Sequence, residues 1–212
     1  MNARVSTWRE IWARFQGRGA YPHQLAFLLR IPLRELVFSR RRLVALLRLE
    51  SDSRVLEIGP GPGFFSAAVA RAVPAGGLAL LDLQREMLRK ARRHVQRAGL
   101  SNVHFACGSA AHLPYRPATF DRVFLVAVLG EVPDPTECVR EIARVLRPGG
   151  RLVITELPGD PDALSQADLQ AMVEPFGFRS IDCVALRGGY SIVLERQVTS
   201  SPRSVKYFTP GQ

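Results

Sequence analysis

Glu57 followed by Gly59, Gly61 and Gly63 at alternate positions, in "SRVLEIGPGPGFFSAAVA", is a set of residue types suited to holding a ligand against bare backbone. Glycine lets a chain turn sharply and approach a bound group more closely than any side chain permits. A helix read from about Phe64 adds free N–H groups and the positive end of a dipole. A dinucleotide turn carries G-x-G-x-x-G for a pyrophosphate, whereas here the third glycine arrives one residue early and Phe64 stands where that pattern needs glycine. Glu57 would repel a pyrophosphate and favour a ligand with an ammonium group. About 20 residues further on, Asp82 ends the next apolar run, where an acid accepts hydrogen bonds from ribose 2′- and 3′-hydroxyls. Two acids and a glycine turn therefore converge on a nucleoside with a cationic amino-acid arm. Two plainer readings stand beside this one: the glycines as a bend alone, and Asp82 as the N-cap of a helix opening "QREML".

Groups able to accept a proton come from other segments. They are Glu131 in "LGEVPD", His112 in "AAHLP", and Tyr21 and His23 in the N-terminal segment. Each has a plainer role as well: Glu131 as a helix-start acid, His112 as a solvated loop residue, His23 as a cap for a helix beginning at Gln24. Four scattered histidines and three scattered cysteines lack metal-ligand spacing, so no metal site is expected. Cys107, Cys138 and Cys183 are odd in number and contain no CxxC, which favours a reducing cytosol over disulfides.

The elements that must position these residues follow from the apolar pattern. From Val55 onward strand-like runs alternate with helix-like segments: "RVLEIG", "FFSAAVARAV", "GLALLDL", "REMLRKARRHVQRAG", "VHFACG", "FDRVFLVAVL", "PTECVREIARVL", "GRLVITEL". "DALSQADLQAMVEPFG" then precedes two closing strands, about 180–186 and 190–198, joined across "RGG". The expected fold is α/β: a doubly wound, mostly parallel, Rossmann-like sheet of seven strands with an antiparallel C-terminal edge hairpin. In such a sheet ligands bind beyond the carboxyl ends of the strands, where the winding reverses, and "EIGPGPG" lies at that place. The expected organisation is a helical cap or lid over residues 1–49, a ligand-binding domain over 50–198, and a loose tail over 199–212.

The chain has 212 residues, 47% hydrophobic, enough to bury a core, and no apolar run near the roughly 18 residues of a membrane span. The N-terminal "MNARVSTWRE" has no apolar h-region. The formal charge is +10, and residues 1–50 alone hold ten Arg and three Glu. Attraction to phosphate is one reading and an Arg-rich genome, with 27 Arg to 2 Lys, the other. Val5, Trp8, Ile11, Trp12 and Phe15 fall at helical spacing with Arg4, Arg9 and Arg14 on other faces. Residues 4–15 thus suit either a lid over the ligand or peripheral contact with an anionic membrane, at its inner face in a cytoplasmic protein.

S-adenosylmethionine answers the description of the ligand. Moreover, "RVLEIGPGPG", "LLDLQREMLRKAR", "GSAAHLPYRPATFDRVFLVAVLGEVPDP" and "EIARVLRPGGRLVITE" resemble successive motifs of the class I S-adenosylmethionine-dependent methyltransferases. The subgroup they resemble contains the ubiquinone- and menaquinone-biosynthesis methyltransferases. The resemblance implies that Glu57, Gly59, Gly61 and Gly63 face the methionine end and that Asp82 holds the ribose. It implies Leu83 and Met87 near the adenine, Ser109 and Ala110 at the adenine edge, and carbonyls of Leu125 and Val126 toward the methionine ammonium. The family usually has Asp where this chain has Ser109, so a neutral acceptor replaces a charged one. "LRPGG" is read as a helix stop and a turn into the next strand. The expected function is methyl transfer to a small or lipophilic acceptor such as a quinone, phospholipid or other metabolite. RNA methylation is the alternative drawn from charge, although "VLGEVP" lacks an N-P-P-Y-like turn and nucleic acid is not the expected partner. A cofactor-binding partner module without activity is the alternative drawn from Ser109.

Overall fold

The computed structural model describes residues 38–157 and 162–198. The expectations for Tyr21, His23, the helix around residues 4–15 and the tail 199–212 lie outside the described residues. Seven strands form one sheet: β1 Arg54–Ile58, β2 Gly77–Asp82, β3 Val103–Cys107, β4 Phe120–Val126, β5 Leu146–Glu156, β6 Phe178–Leu186 and β7 Gly189–Arg196. Their order is β3-β2-β1-β4-β5-β7-β6. β7 pairs antiparallel with both β5 and β6, and the other pairs are parallel. The winding reverses between β1 and β4, as the alternation of runs implied.

The helices are α1 Arg40–Leu47, α2 Ser66–Ala72, α3 Arg85–Arg97, α4 Pro135–Val145 and α5 Gln166–Val173. Two cores divide along the sheet. On one face Phe38, Leu43 and Leu47 join Val69 of α2 and Leu88 and Ala91 of α3 over Val55, Leu80 and Phe124. On the other, Cys138, Val139 and Ile142 of α4 and Leu169 and Val173 of α5 cover Leu56, Val123 and Ile154. A strand covered on both faces has no polar side to alternate with, which is why Val55–Ile58 is buried throughout.

Local chemistry sets the helix ends. Asp134 caps α4, its carboxylate accepting from the Glu137 amide at 2.9 Å with Pro135 opening the helix. Ser39 caps α1 by accepting from the Arg42 amide at 3.2 Å. At the other end of α1, Arg48 adopts a left-handed φ of 46°. The carbonyls of Leu46, Leu47 and Arg48 accept from Arg151 Nη1 (2.9 Å), Arg122 Nε (2.8 Å) and Arg122 Nη2 (3.0 Å). Helix-end carbonyls need such partners, and two arginines of the sheet supply them. Residues 38–47 of the expected N-terminal extension therefore share the core of the sheet.

Two boundaries differ from the sequence reading. α2 starts at Ser66 rather than near Phe64, because Gly63 at φ 85° cannot begin a helix and the turn runs on through Phe65. Phe65 is buried against Phe38, ring centroids 5.7 Å apart, and fixes where the turn ends. β5 starts at Leu146, inside the segment read as a turn. Leu146 is buried opposite Phe120, the register then shifts, and pairing resumes at Arg151 opposite Arg122. No helix among the described residues is long and apolar enough to cross a membrane.

Candidate functional site

The strand register brings the ends of the central strands together. Ile58 lies opposite Leu81 and Leu125, Asp82 opposite Cys107, and Val126 opposite Thr155. The glycine turn closes over these ends. Gly59 donates to the Leu81 carbonyl at 2.8 Å, extending the β1–β2 ladder by one bond, and Gly63 donates to the Pro60 carbonyl at 3.0 Å. Gly59 and Gly63 are also required by packing. A Cβ at Gly59 would stand 2.5 Å from Val128 Cγ2, and one at Gly63 would stand 3.0 Å from Ala91 Cα. Both sit at positive φ, where side chains are strained in any case. Gly63 therefore serves the seating of the turn on α3 in addition to any ligand.

Two buried acids flank the turn. Glu57 is buried and one of its oxygens accepts from Ser66 Oγ at 2.6 Å. Ser66, the first residue of α2, escaped the sequence reading, although a small hydroxyl just past the glycines was the available signal. Asp82 is buried as well, accepting from the Gln84 amide at 2.8 Å and from the Gly61 amide. Burial pushes its carboxyl above the ordinary range, with the Gln84 and Gly61 amides pulling the other way. Asp82 is not the cap of α3, since Gln84 holds that position without a side-chain bond. The acid instead ties the end of β2 to the glycine turn.

The remaining residues spread around this centre. Leu83 projects from the end of β2 with 63% of its surface exposed, whereas Met87 is buried beneath α3. Ser109 is half-buried two residues past β3; its hydroxyl accepts from the Ala111 amide at 3.2 Å and its carbonyl from the His112 amide at 3.1 Å. Ala110 packs against the core. Leu125 and Val126 are buried at the end of β4. His112 is exposed on the loop after Ser109, close enough to Glu137 to lower the pKa of that acid, behind the larger effect of its Arg140 hydrogen bond. Glu131 is half-buried in a 3₁₀ turn, Leu129–Glu131, directly after β4. The loop after β5 presses on that turn: a Cβ at Gly130 would stand 1.8 Å from the Asp162 carbonyl oxygen.

A second residue missed in the sequence lies on the strand next to β4. Glu156 is buried at the carboxyl end of β5 and pairs across the sheet with Tyr190. The Tyr190 hydroxyl donates to the Leu164 carbonyl at 2.9 Å, and burial first, then the Glu156 charge, pushes its pKa up. An acid ending a buried strand was the same signal that singled out Asp82. Among the described residues no cluster of three or more His, Cys, Asp or Glu is arranged to hold a metal.

The donor set suits one class of ligand. Two buried carboxylates flanking a bare-backbone turn match a cationic arm and a ribose diol, and they oppose a pyrophosphate. Residues 56–154 match the family model described as a methyltransferase domain. The methyltransferase GfsG of Streptomyces halstedii is 38% identical over 112 residues, 52% of this chain and 40% of that protein. A demethylmenaquinone methyltransferase of Listeria welshimeri is 34% identical over 125 residues, 58% of this chain and 53% of that protein. The chain thus spans about half the length of these curated relatives. A solved structure from Aquifex aeolicus, titled a SAM dependent methyltransferase, shares the fold with a TM-score of 0.77 at 22% identity, covering 84% of this chain and 100% of that one. Motif order, fold and matched family model agree: residues 56–154 match a methyltransferase domain, the sheet has the fold of the S-adenosylmethionine-dependent methyltransferases, whose cofactor these matches support, and the chain resembles the quinone methyltransferases of class I.

Proposed function

We propose that the protein is an S-adenosylmethionine-dependent methyltransferase acting on a small or lipophilic acceptor. The observation that carries this reading is the buried Asp82 carboxylate, held by the Gly61 and Gln84 amides at the mouth of a turn whose other acid is Glu57. When bound, the cofactor supplies an activated methyl on a sulfonium, so the protein need not generate an electrophile. Asp82 accepts the ribose hydroxyls, and Leu83 offers an exposed apolar side chain to the adenine face. Ser109 stands at the adenine edge with a hydroxyl already anchored by the Ala111 amide, which leaves its second lone pair to accept from the adenine amino group. Glu57, pinned by Ser66, sets a fixed negative charge near the ammonium end.

The acceptor side lies where the loops after β4 and β5 meet, at Glu131 and the Gly130–Asp162 contact. Glu131 is the residue placed to take a proton from an acceptor that must lose one. Orientation of two bound partners and removal of water between them supply much of the acceleration in such sites, about 7–11 kcal/mol at the limit. The test is incubation of lipid, quinone and RNA fractions with methyl-labelled cofactor, followed by mass spectrometry. Label in a quinone or lipid is the expected result. Label confined to RNA sinks the acceptor assignment, and label in no fraction despite bound cofactor sinks the activity.

A further inference from the structure

The chain's positive charge is concentrated on one layer of the fold. α1, α2 and α3, which cover the same face of the sheet, hold ten bases and one acid, a net +9. The described residues as a whole hold 21 bases and 16 acids, a net +5, so those outside this layer sum to −4. α4 and α5, covering the opposite face, hold two bases and three acids, a net −1. An Arg-rich genome would enrich both layers, so composition alone does not account for this division. Arg40, Arg41 and Arg42 on α1, Arg71 on α2, and Arg93 and Arg97 on α3 are all exposed.

These helices enclose a groove of about 1100 Å³ whose described lining includes Arg40, Arg41, Arg71 and His94. Val44, Ala67, Ala68 and Ala98 supply its apolar lining, and no carboxylate is among its described residues. The aromatic rings at this surface are covered by cations. Arg40 lies over Phe64 at 5.0 Å and Arg92 over Phe105 at 4.7 Å. Bases of single-stranded nucleic acid stack on open aromatic faces, and a guanidinium takes one face of each of these two rings. Small aliphatic side chains between guanidinium groups suit a phosphate joined to an aliphatic body.

We propose that the α1–α2–α3 layer docks on an anionic phospholipid surface, with phosphate headgroups taken up along the groove between Arg41 and Arg71. The binding is electrostatic and salt-sensitive, and it uses none of the residues assigned to cofactor or acceptor. Basic residues near such a surface each contribute about a fivefold gain in affinity, and added salt screens it.

The experiment is co-sedimentation of the full chain with vesicles of phosphatidylglycerol and phosphatidylcholine in equal parts, and with phosphatidylcholine alone. The expected result is binding to the first and not the second, lost at high salt. In the variant R41Q/R71Q/R93Q/R97Q binding falls by more than about a hundredfold, with the melting temperature and cofactor affinity unchanged. A control, R116Q/R187Q, removes two exposed cations from loops outside this layer and retains binding. No binding of the full chain to anionic vesicles at low salt overturns the proposal. Undiminished binding by the fourfold variant also overturns it, assigning attachment to residues 1–37 instead. Displacement from vesicles by a structured RNA bound more tightly than the lipid overturns it in favour of nucleic acid.

Discussion

At the scale of single residues, Asp82 carries the most weight. Its carboxylate is buried, and replacing it with Ala leaves the Gly61 and Gln84 amides, and the ribose hydroxyls of the proposed assignment, without their acceptor. Asp82→Ala should weaken S-adenosylhomocysteine binding by about 1–3 kcal/mol in isothermal titration, and an unchanged affinity would remove the ribose assignment. Burial raises the pKa of this carboxyl, so its ionised form, the better acceptor, is lost at a higher pH than an ordinary Asp. Cofactor affinity should therefore begin to fall on acidification before free aspartate would protonate, and Asp82→Asn should flatten that profile. The sign for stability is opposite. A carboxyl whose folded pKa is raised favours the fold most below its unfolded pKa and loses that contribution as pH rises through the folded value. Asp82 was legible from the sequence because it ends an apolar run at a fixed distance from a glycine turn. Ser66 and Glu156 carried a positional signal as well, but the bond to Glu57 and the place opposite Tyr190 that give them their setting arise only on folding.

At the scale of elements, the alternation of runs was enough to anticipate seven strands and the antiparallel closing pair. The starts of α2 and β5 were not legible. The first depends on Phe65 finding Phe38 across the core, and the second on Leu146 finding Phe120 before the ladder proper resumes. Neither contact has a local signature. The seating of α1 is likewise non-local, because Arg122 and Arg151 reach its last carbonyls from β4 and β5. Removing Arg122 leaves the Leu47 and Arg48 carbonyls without a protein donor at a partly buried helix end, a loss of about 1–3 kcal/mol. Arg122→Ala should lower the melting temperature and speed amide exchange over Leu43–Leu47 ahead of β1 and β4. Uniform exchange across helix and strands would show that α1 does not depend on this arginine.

At the scale of the whole molecule, ligand binding to the folded state should register as stability. S-adenosylhomocysteine at one hundred times its dissociation constant adds about 2.7 kcal/mol to the unfolding free energy. The melting temperature should rise with that ligand and stay unchanged with NAD, because Phe64 occupies the third-glycine position of a dinucleotide turn and Glu57 opposes a pyrophosphate. A rise with NAD would contradict the reading of the turn. The division of charge across the sheet has a mechanical consequence as well. A layer of +9 set against one of −1 makes the molecule a dipole along the sheet normal, so a negatively charged plane exerts a torque on it before contact. On the docking proposed above, the protein would arrive with its strands lying parallel to that plane. The carboxyl edge bearing Glu57, Asp82 and Glu131 would then open sideways along the surface, where the lipophilic acceptor proposed above would meet it edge-on.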